Sequence, residues 1–364
     1  MSVVGGVLVS IYSVLFTVEL ILMLFFRLKF KTSTKAESDL PKVTVLVCAR
    51  NEEHNLKRCL NSILRLNYPQ ESMQVLVGDD NSEDGTWNII EHFQKRHNHI
   101  KGVKIENEKE GLIAKANVLN QLIDLSTDEF QVIIDADMEV QPDWLRTMVG
   151  ALQENQLISG YTQIASVGRY SHLQFFDWQI VLHSMKAMAD AIRPISILGN
   201  NMGFRKSAYD QVGGFRALGP TDVEDLGLLQ RFQKAGLQTS QVIEQTGFAE
   251  TQPQLTFSEM ITQRCRWMNG VFTHHLILAV PAFFARLWVV PFLLTLFVAY
   301  IDLALFILSY AYFTTCLKYW QMHKHTNRKF KLFLYEPFFI SLLDTFALLR
   351  IIFKGKVSWK GRKF

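Results

Sequence analysis

A sheet of mostly parallel strands alternating with helices, joined to apolar helical segments, is the fold class that this 364-residue sequence predicts. Three observations predict it. Short β-branched runs alternate with helical stretches through residues 41–269, the pattern of βαβ units. Carboxylate pairs follow two of those runs directly, where an α/β sheet places its ligand site. Long apolar blocks stand on either side of this region, and such blocks suit a bilayer. Hydrophobic residues make up 49% of the chain and charged residues 20%, which excludes a disordered chain, a collagen-like fibre and a coiled-coil rod.

Val43–Cys48 reads as the first strand, entered after Pro41. A helix over Glu52–Leu66, a second strand over Met73–Gly78 and a helix over Thr86–His97 follow, the last entered through the Asp84-Gly85 turn. Next come a helix over Leu112–Leu125 and a strand over Phe130–Ile134. No internal repeat, low-complexity tract or long linker interrupts residues 41–269. The four cysteines, Cys48, Cys59, Cys265 and Cys316, are far apart and read as packing thiols in a reducing compartment rather than as a zinc ribbon or disulfide framework.

The run Val3–Phe26 contains one charged residue, Glu19, and is long enough to cross a hydrocarbon core. Its basic residues, Arg27, Lys29, Lys31 and Lys35, follow the run instead of preceding it, which argues against a cleaved signal and puts residue 27 onward in the cytoplasm. A second block, Leu276–Leu317, suits two short spans, or an interfacial helix and one span. A third, Leu332–Phe353, is a poorer span that suits the interface. The domains expected are therefore an N-terminal transmembrane helix (1–28), a cytoplasmic domain (29–275), membrane segments (276–317), and a basic loop, membrane or interfacial helix and basic tail (318–364). Two crossings within 276–317 are preferred, since they keep both the basic loop and the tail on the cytoplasmic side.

Charge is distributed unevenly. Residues 27–275 hold 26 Lys and Arg against 30 Asp and Glu, whereas residues 318–364 hold 11 against 2. The first figure argues against a basic nucleic-acid reader, and the second suits anionic headgroups.

Asp79-Asp80 follows the second predicted strand, and Asp135-Ala136-Asp137 follows the Phe130–Ile134 strand. Carboxylates so placed suit a divalent hard cation shared with substrate phosphates. An Asp-x-Asp triplet also arises by chance, and the turn formers of residues 79–86 also suit a capped turn. Glu224-Asp225 opens a predicted helix, where acids complement the helix dipole or where one of them serves as a general base. Gln263, Arg266 and Trp267 share one face at helical spacing just before the second apolar block. They suit either an interfacial anchor or contacts to diphosphate and sugar. Lys115 is equally a solvated helix residue, and Gly199-Asn200-Asn201 equally a tight turn.

In order, Val43 to Glu52, Asp79-Asp80, Lys115-Ala116-Asn117, Asp135-Ala136-Asp137, Glu224-Asp225 and Gln263-Arg264-Cys265-Arg266-Trp267 resemble the membrane-bound glycosyltransferases of family 2. That family has the GT-A (Rossmann-like) nucleotide-sugar fold and includes ceramide glucosyltransferase-like and polysaccharide synthase-like members. The resemblance covers residues 41–275 and the flanking spans. It implies that Ala49 and Glu52 seat the nucleoside, that Asp80 contacts base or ribose, that Lys115 and Asp135 meet the donor, and that Asp137 ligates Mg2+ or Mn2+. It further implies Asp225 as catalytic base, Asn200, Asn201 and Glu224 along the acceptor path, and Gln263, Arg266 and Trp267 over diphosphate and acceptor. One departure stands out: the Thr-Glu-Asp pattern of some synthases is here Asp222-Val223-Glu224-Asp225, which keeps the acid pair without the adjacent Thr.

The function implied is an inverting, metal-dependent transfer of a sugar from a nucleoside-diphosphate sugar, a UDP-sugar in the first instance, to a membrane lipid. The enzyme is expected to be integral to the inner or plasma membrane, with its catalytic domain cytoplasmic. A processive polysaccharide synthase is the alternative within enzymes, and a catalytically silent sugar-nucleotide-binding scaffold is the alternative outside them.

Overall fold

The computed structural model describes residues 3–26, 40–221, 223–273, 285–298, 300–326, 328, 334–354, 358–359 and 362–363. The basic flank at 27–35, Asp222, the start of the second apolar block and most of the basic tail lie outside the described residues.

The helices in chain order are α1 (Val3–Phe25), α2 (Leu56–Ile63), α3 (Thr86–Gln94), α4 (Ala114–Asp124), α5 (Trp144–Glu154), α6 (Ser171–Ala191), α7 (Lys206–Gln211), α8 (Glu224–Lys234), α9 (Phe257–Thr273), α10 (Val289–Phe297), α11 (Ile301–His323) and α12 (Glu336–Lys354). The strands are β1 (Val43–Ala49), β2 (Met73–Asp79), β3 (Ile100–Lys104), β4 (Phe130–Asp135), β5 (Glu139–Val140), β6 (Leu157–Ser159), β7 (Thr162–Ile164), β8 (Asn201–Arg205), β9 (Thr239–Gln241), β10 (Ala249–Thr251), β11 (Ser358–Trp359) and β12 (Arg362–Lys363). The chain divides into two compact units, one of residues 28–163 and 196–252, the other of residues 1–27, 164–195 and 253–364. Residues 164–195 and 257–273, which the sequence reading put in one domain with the sheet, thus cluster with the terminal helices.

The first unit is built on a seven-stranded sheet in the order β3-β2-β1-β4-β8-β6-β9. β1 pairs in parallel with β2 and with β4, while β8 runs antiparallel to β4 and β6. Val-Thr-Val-Leu-Val-Cys-Ala in β1 is buried along nearly its whole length, as expected of a central parallel strand covered on both faces. One face carries Val43, Val45, Val47, Val75, Val77, Val132 and Ile134, and packs against Leu56, Cys59, Leu60 and Ile63 of α2. Gly78 of β2 lets α4 come close, for a Cβ there would sit 2.5 Å from Val118 Cγ1. The sheet therefore reverses its winding at β1 and β4, the switch point at which α/β folds open a crevice.

Helix α2 starts at Leu56 rather than at Glu52. Residues Asn51–Asn55 are a loop in which Asn51 has φ 53° and the Glu52 N–H donates to Thr86 Oγ1 at 2.8 Å. The next loop grips it in return. Asn51 N donates to Ser82 Oγ at 3.0 Å, Glu83 N to Asn51 Oδ1 at 2.9 Å, Glu53 N to Asp84 Oδ2 at 3.1 Å and Gly85 N to Glu53 Oε2 at 2.8 Å. The turn formers of residues 79–86 thus lock the β1 and β2 loops together.

In the second unit α11 lies against α1, α6 and α10, and α12 against α6, α9 and α10. α1 and α11 run parallel. Tyr12 meets Tyr310 at 5.2 Å between ring centroids, Phe16 meets Phe313 at 5.8 Å, Glu19 pairs with Lys318 at 2.6 Å, and Gln321 reaches the Met23 carbonyl at 3.4 Å. Gly5–Phe25 and Ile301–His323 are the two described helices long and apolar enough to cross a membrane. α12 is one-sided: Ile340, Leu343 and Ala347 are buried while Leu342, Phe346, Leu349 and Phe353 are exposed.

Candidate active site

The carboxyl edge of β1, β2 and β4 carries a cluster of charged residues. Asp79 ends β2 and Asp135 ends β4, two strands that flank β1. Lys115 stands in the first turn of α4, launched by Ala114 in the left-handed region at φ 51°, a conformation an alanine adopts at a cost and that functional loops often store. Its Nζ donates to Asp135 Oδ1 at 2.5 Å and to the Gly199 carbonyl at 2.8 Å, with Glu224 Oε1 at 3.9 Å. Lys115 is thus the cation at the middle of the cluster rather than a solvated helix residue.

Asp225, in the first turn of α8, accepts the Gly199 N–H at Oδ2 (2.9 Å) and the Leu226 N–H at Oδ1 (2.7 Å). Gly199 must be glycine at this approach, because a Cβ would sit 2.7 Å from Asp225 Oδ2. Its backbone joins base candidate to cation. Beside it, Asn200 gives its carbonyl to the Asp135 N–H at 3.2 Å, and its side-chain oxygen is buried with no hydrogen-bond partner among the described residues. An unmet buried acceptor of this kind suits a ligand donor.

Electrostatics follow from burial. Burial pushes the Glu224 carboxyl up to about 7; Lys115 opposes the shift, while Asp225 and Asp135 add to it. For Lys115, burial favours the neutral amine, but Asp135 and Glu224 outweigh it and hold the ammonium above its ordinary range. Cys48, near the end of β1, feels Lys115, Asp135, Glu224 and Asp80, yet burial dominates and keeps it a thiol.

Ala49 is buried and its carbonyl accepts the Asp80 N–H at 2.9 Å. Asp80 in turn receives Arg50 Nη1 at its carbonyl (3.2 Å) and at Oδ2 (3.4 Å). Glu52 is buried, with Oε2 taking Asn55 Nδ2 at 2.9 Å. Asp137 is half-buried, and its carbonyl accepts Arg58 Nη2 at 2.6 Å. Arg58 of α2 therefore holds the turn between the two aspartates, a role the sequence reading missed because an arginine in the first turn of a helix carries no local signal. Asn201, placed on the acceptor path by resemblance, is fully buried. It accepts Trp144 Nε1 at 3.0 Å and donates to the Tyr161 carbonyl at 3.0 Å, so its side chain is spent within the core.

No group of three or more His, Cys, Asp or Glu side chains converges among the described residues as a ready-made metal cage. The donor set still fits Mg2+ or Mn2+, which is commonly held by one or two carboxylates and completed by substrate phosphates; Asp137 and Asp135 supply that number.

Gln263, Arg266 and Trp267 belong to α9 in the helical unit. A cleft there is lined by Gln263, Arg264, Trp267, Trp178 and Met260. The expected common face holds for Gln263 and Trp267, four residues apart. Arg266 is exposed and absent from the lining, whose arc around the helix runs from Gln263 through Trp267 to Arg264, about 40° and about 100° on, while Arg266 lies about 60° to the other side.

Residues 7–364 match the family model described as glycosyl transferase family 21. The chain is 26% identical over 252 residues to a beta-monoglucosyldiacylglycerol synthase of Trichormus variabilis, covering 66% of this chain and 51% of that one. Identity is 28% over 178 residues to a poly-beta-1,6-N-acetyl-D-glucosamine synthase of Staphylococcus epidermidis, covering 47% and 41%. The chain thus spans about half the length of the curated relatives it matches. Among solved structures it resembles mannosyltransferase PcManGT of Pyrobaculum calidifontis in complex with GDP-Man and Mn2+, with TM-score 0.62 and 18% identity over 96% of this chain and 99% of that one. That likeness bears out the GT-A fold drawn from the motifs.

Proposed function

The chain belongs to glycosyl transferase family 21, and we propose that it transfers a sugar from a nucleoside-diphosphate sugar to a lipid at the membrane surface, with inversion at the anomeric carbon. The observation that carries the reading is the Lys115, Asp135, Gly199, Asp225 and Glu224 cluster at the carboxyl edge of a reversing α/β sheet. A lipid acceptor is supported by the name of the Trichormus variabilis relative and by the two long apolar helices.

In this reading Ala49, Glu52 and Asp80 seat the nucleoside, and the paired β1 and β2 loops hold its binding edge rigid. Lys115 and Asp135 orient the donor. Asp137, with Asp135, would hold Mg2+ or Mn2+, which when bound neutralises charge on the departing diphosphate. Asp225 takes the proton of the acceptor hydroxyl, and fixed donors on both its oxygens hold it in one rotamer. Glu224 and Asn200 meet the acceptor. Gln263, Arg266 and Trp267 serve diphosphate and acceptor, an Arg fork suiting phosphate oxygens. One direct displacement by the acceptor oxygen breaks the bond to the diphosphate and inverts the centre.

Parallel α1 and α11 support a topology in which the ends at Phe25 and His323 face the same, cytoplasmic, side. The exposed apolar stripe of α12 supports an interfacial position for that helix.

The test is transfer by the purified chain in lipid nanodiscs containing diacylglycerol or ceramide, supplied in turn with UDP-glucose, UDP-N-acetylglucosamine and GDP-mannose and read by mass spectrometry. A lipid carrying one or a few sugars with inverted configuration is expected. A long polymer would move the assignment to a processive synthase, and donor binding without any transfer or hydrolysis would make it a silent scaffold.

A further inference from the structure

The helical unit contains a closed ring of four buried charges. Arg264 of α9 pairs with Asp177 of α6, and its Nε lies 3.0 Å from Asp344 Oδ1 of α12. Arg286 completes the ring, with Nη2 2.5 Å from Asp177 Oδ1 and Nε 2.7 Å from Asp344 Oδ2. Each arginine bridges both aspartates and each aspartate both arginines. Asp344 is fully buried, and the side chains of Arg264 and Asp177 are 8% and 9% exposed.

Such a ring is a poor means of adding stability. Desolvating four charges offsets most of their attraction, and well-packed apolar residues of the same volume usually serve as well or better. What it offers is geometry, since a planar guanidinium that reaches two carboxylates on different helices through different nitrogens permits few alternative arrangements.

The ring adjoins residues for which the function reading has a use. The Arg264 guanidinium lies over the Trp267 ring at 5.0 Å. Trp178, next in sequence to Asp177, meets Trp267 at 5.2 Å between centroids. Asp177 and Arg264 line the same cleft as Gln263, Trp178 and Trp267. Thus the two tryptophans that wall the cleft come from the two helices that the Asp177 to Arg264 pair ties together, and Arg264 touches one of them directly.

We propose that the Asp177, Arg264, Asp344 and Arg286 ring is a positioning device that fixes Trp267 and Gln263 in the cleft, with Arg264 the residue that transmits the constraint. The inference rests on the proposed role of Gln263 and Trp267 toward diphosphate and acceptor. It predicts that loosening the ring weakens acceptor use and, through the diphosphate, donor use, while binding of the free nucleoside is spared.

The experiment uses the full chain in nanodiscs. Arg264→Lys keeps the charge but has no fork to bridge two carboxylates. The fourfold variant Asp177→Leu, Arg264→Met, Asp344→Leu, Arg286→Met removes the ring without stranding a charge. Both are labelled with 5-fluorotryptophan, and the Trp267 resonance is assigned with Trp267→Phe. For Arg264→Lys the acceptor KM and the donor KM are expected to rise 5-fold or more with the dissociation constant of the free nucleoside within 2-fold, and the Trp267 fluorine resonance to move and broaden. The fourfold variant, where it folds, should keep the thermal midpoint within a few degrees and show the same resonance change. An unmoved Trp267 resonance in Arg264→Lys overturns the proposal, and so does a moved resonance with both KM values unchanged. If the unaltered chain transfers no sugar to any lipid, the function reading fails on that measurement, while the fluorine spectrum alone still decides whether the ring sets Trp267.

Discussion

Gly199 touches Asp225 and Lys115 through opposite ends of one residue: its N–H donates to Asp225 Oδ2 and its carbonyl accepts Lys115 Nζ. A Cβ on Gly199 would meet Asp225 at 2.7 Å, far inside contact distance. Gly199→Ala should therefore displace the carboxylate and reduce turnover by about 100-fold or more, since misplacement of a base by an ångström has effects of that order. Donor affinity measured by calorimetry on the same folded sample should change much less. Near-normal turnover would show that Asp225 does not need this position.

Base and neighbour are separable by substitution. Asp225→Asn should lower turnover by about 100-fold or more with little change in donor affinity. If Asp225 acted only as a first-turn acceptor for backbone N–H groups, the loss would be one of stability, about 1 kcal/mol, with turnover per folded molecule intact. In that case Glu224→Gln should carry the large loss in turnover.

Glu224 also makes a prediction about pH. Its carboxyl is held up to about 7 from an ordinary 4.5, so the folded state binds the extra proton across that window. Its stabilising share is complete below about pH 4.5 and is lost as pH rises through 7, by at most about 3 kcal/mol. The thermal midpoint of the unaltered chain should therefore fall relative to that of Glu224→Gln between pH 5 and pH 7.5 and run parallel to it above. A constant difference across the range would place Glu224 in contact with water.

Asp137→Asn should abolish transfer and weaken donor binding, and EDTA should reproduce both effects in the unaltered chain. Calorimetric titration of donor with and without Mn2+ checks this. Equal donor affinity and full activity in EDTA would assign Asp137 to the turn alone.

The parallel course of α1 and α11 predicts topology. Reporters fused after Lys35 and after Phe364 should both report cytoplasm. A cysteine substituted at Val298, just before α11, should react with an impermeant maleimide from the opposite side. An external tail or a cytoplasmic residue 298 would overturn the crossing count.

Much was legible in the sequence because its physical signal is local. Val43–Ala49 is buried on both faces, and seven consecutive residues with no charge announce that. Strand ends at Asp79 and Asp135, the helix opening at Glu224 and the apolar run of α1 could be read from periodicity, turn formers and hydropathy alone. The ordered motifs sufficed for the GT-A fold. The limits of α2 could not be read, because Glu52 to Asn55 look helical by composition and are held out of the helix by Thr86 and Asp84, more than thirty residues away.

Tertiary structure decided the rest. Lys115 as the centre of a charge cluster, Gly199 as the joint between Lys115 and Asp225, Arg58 on the Asp137 carbonyl, and the Asp177, Arg264, Asp344 and Arg286 ring each join residues from separate elements. Asn201 shows the converse: its neighbour Asn200 keeps an unmet oxygen while Asn201 is enclosed by Trp144 and Tyr161. Two adjacent asparagines are alike in sequence, but Asn200 closes the turn before β8 and Asn201 begins the strand, and what surrounds each is known only once the chain has folded.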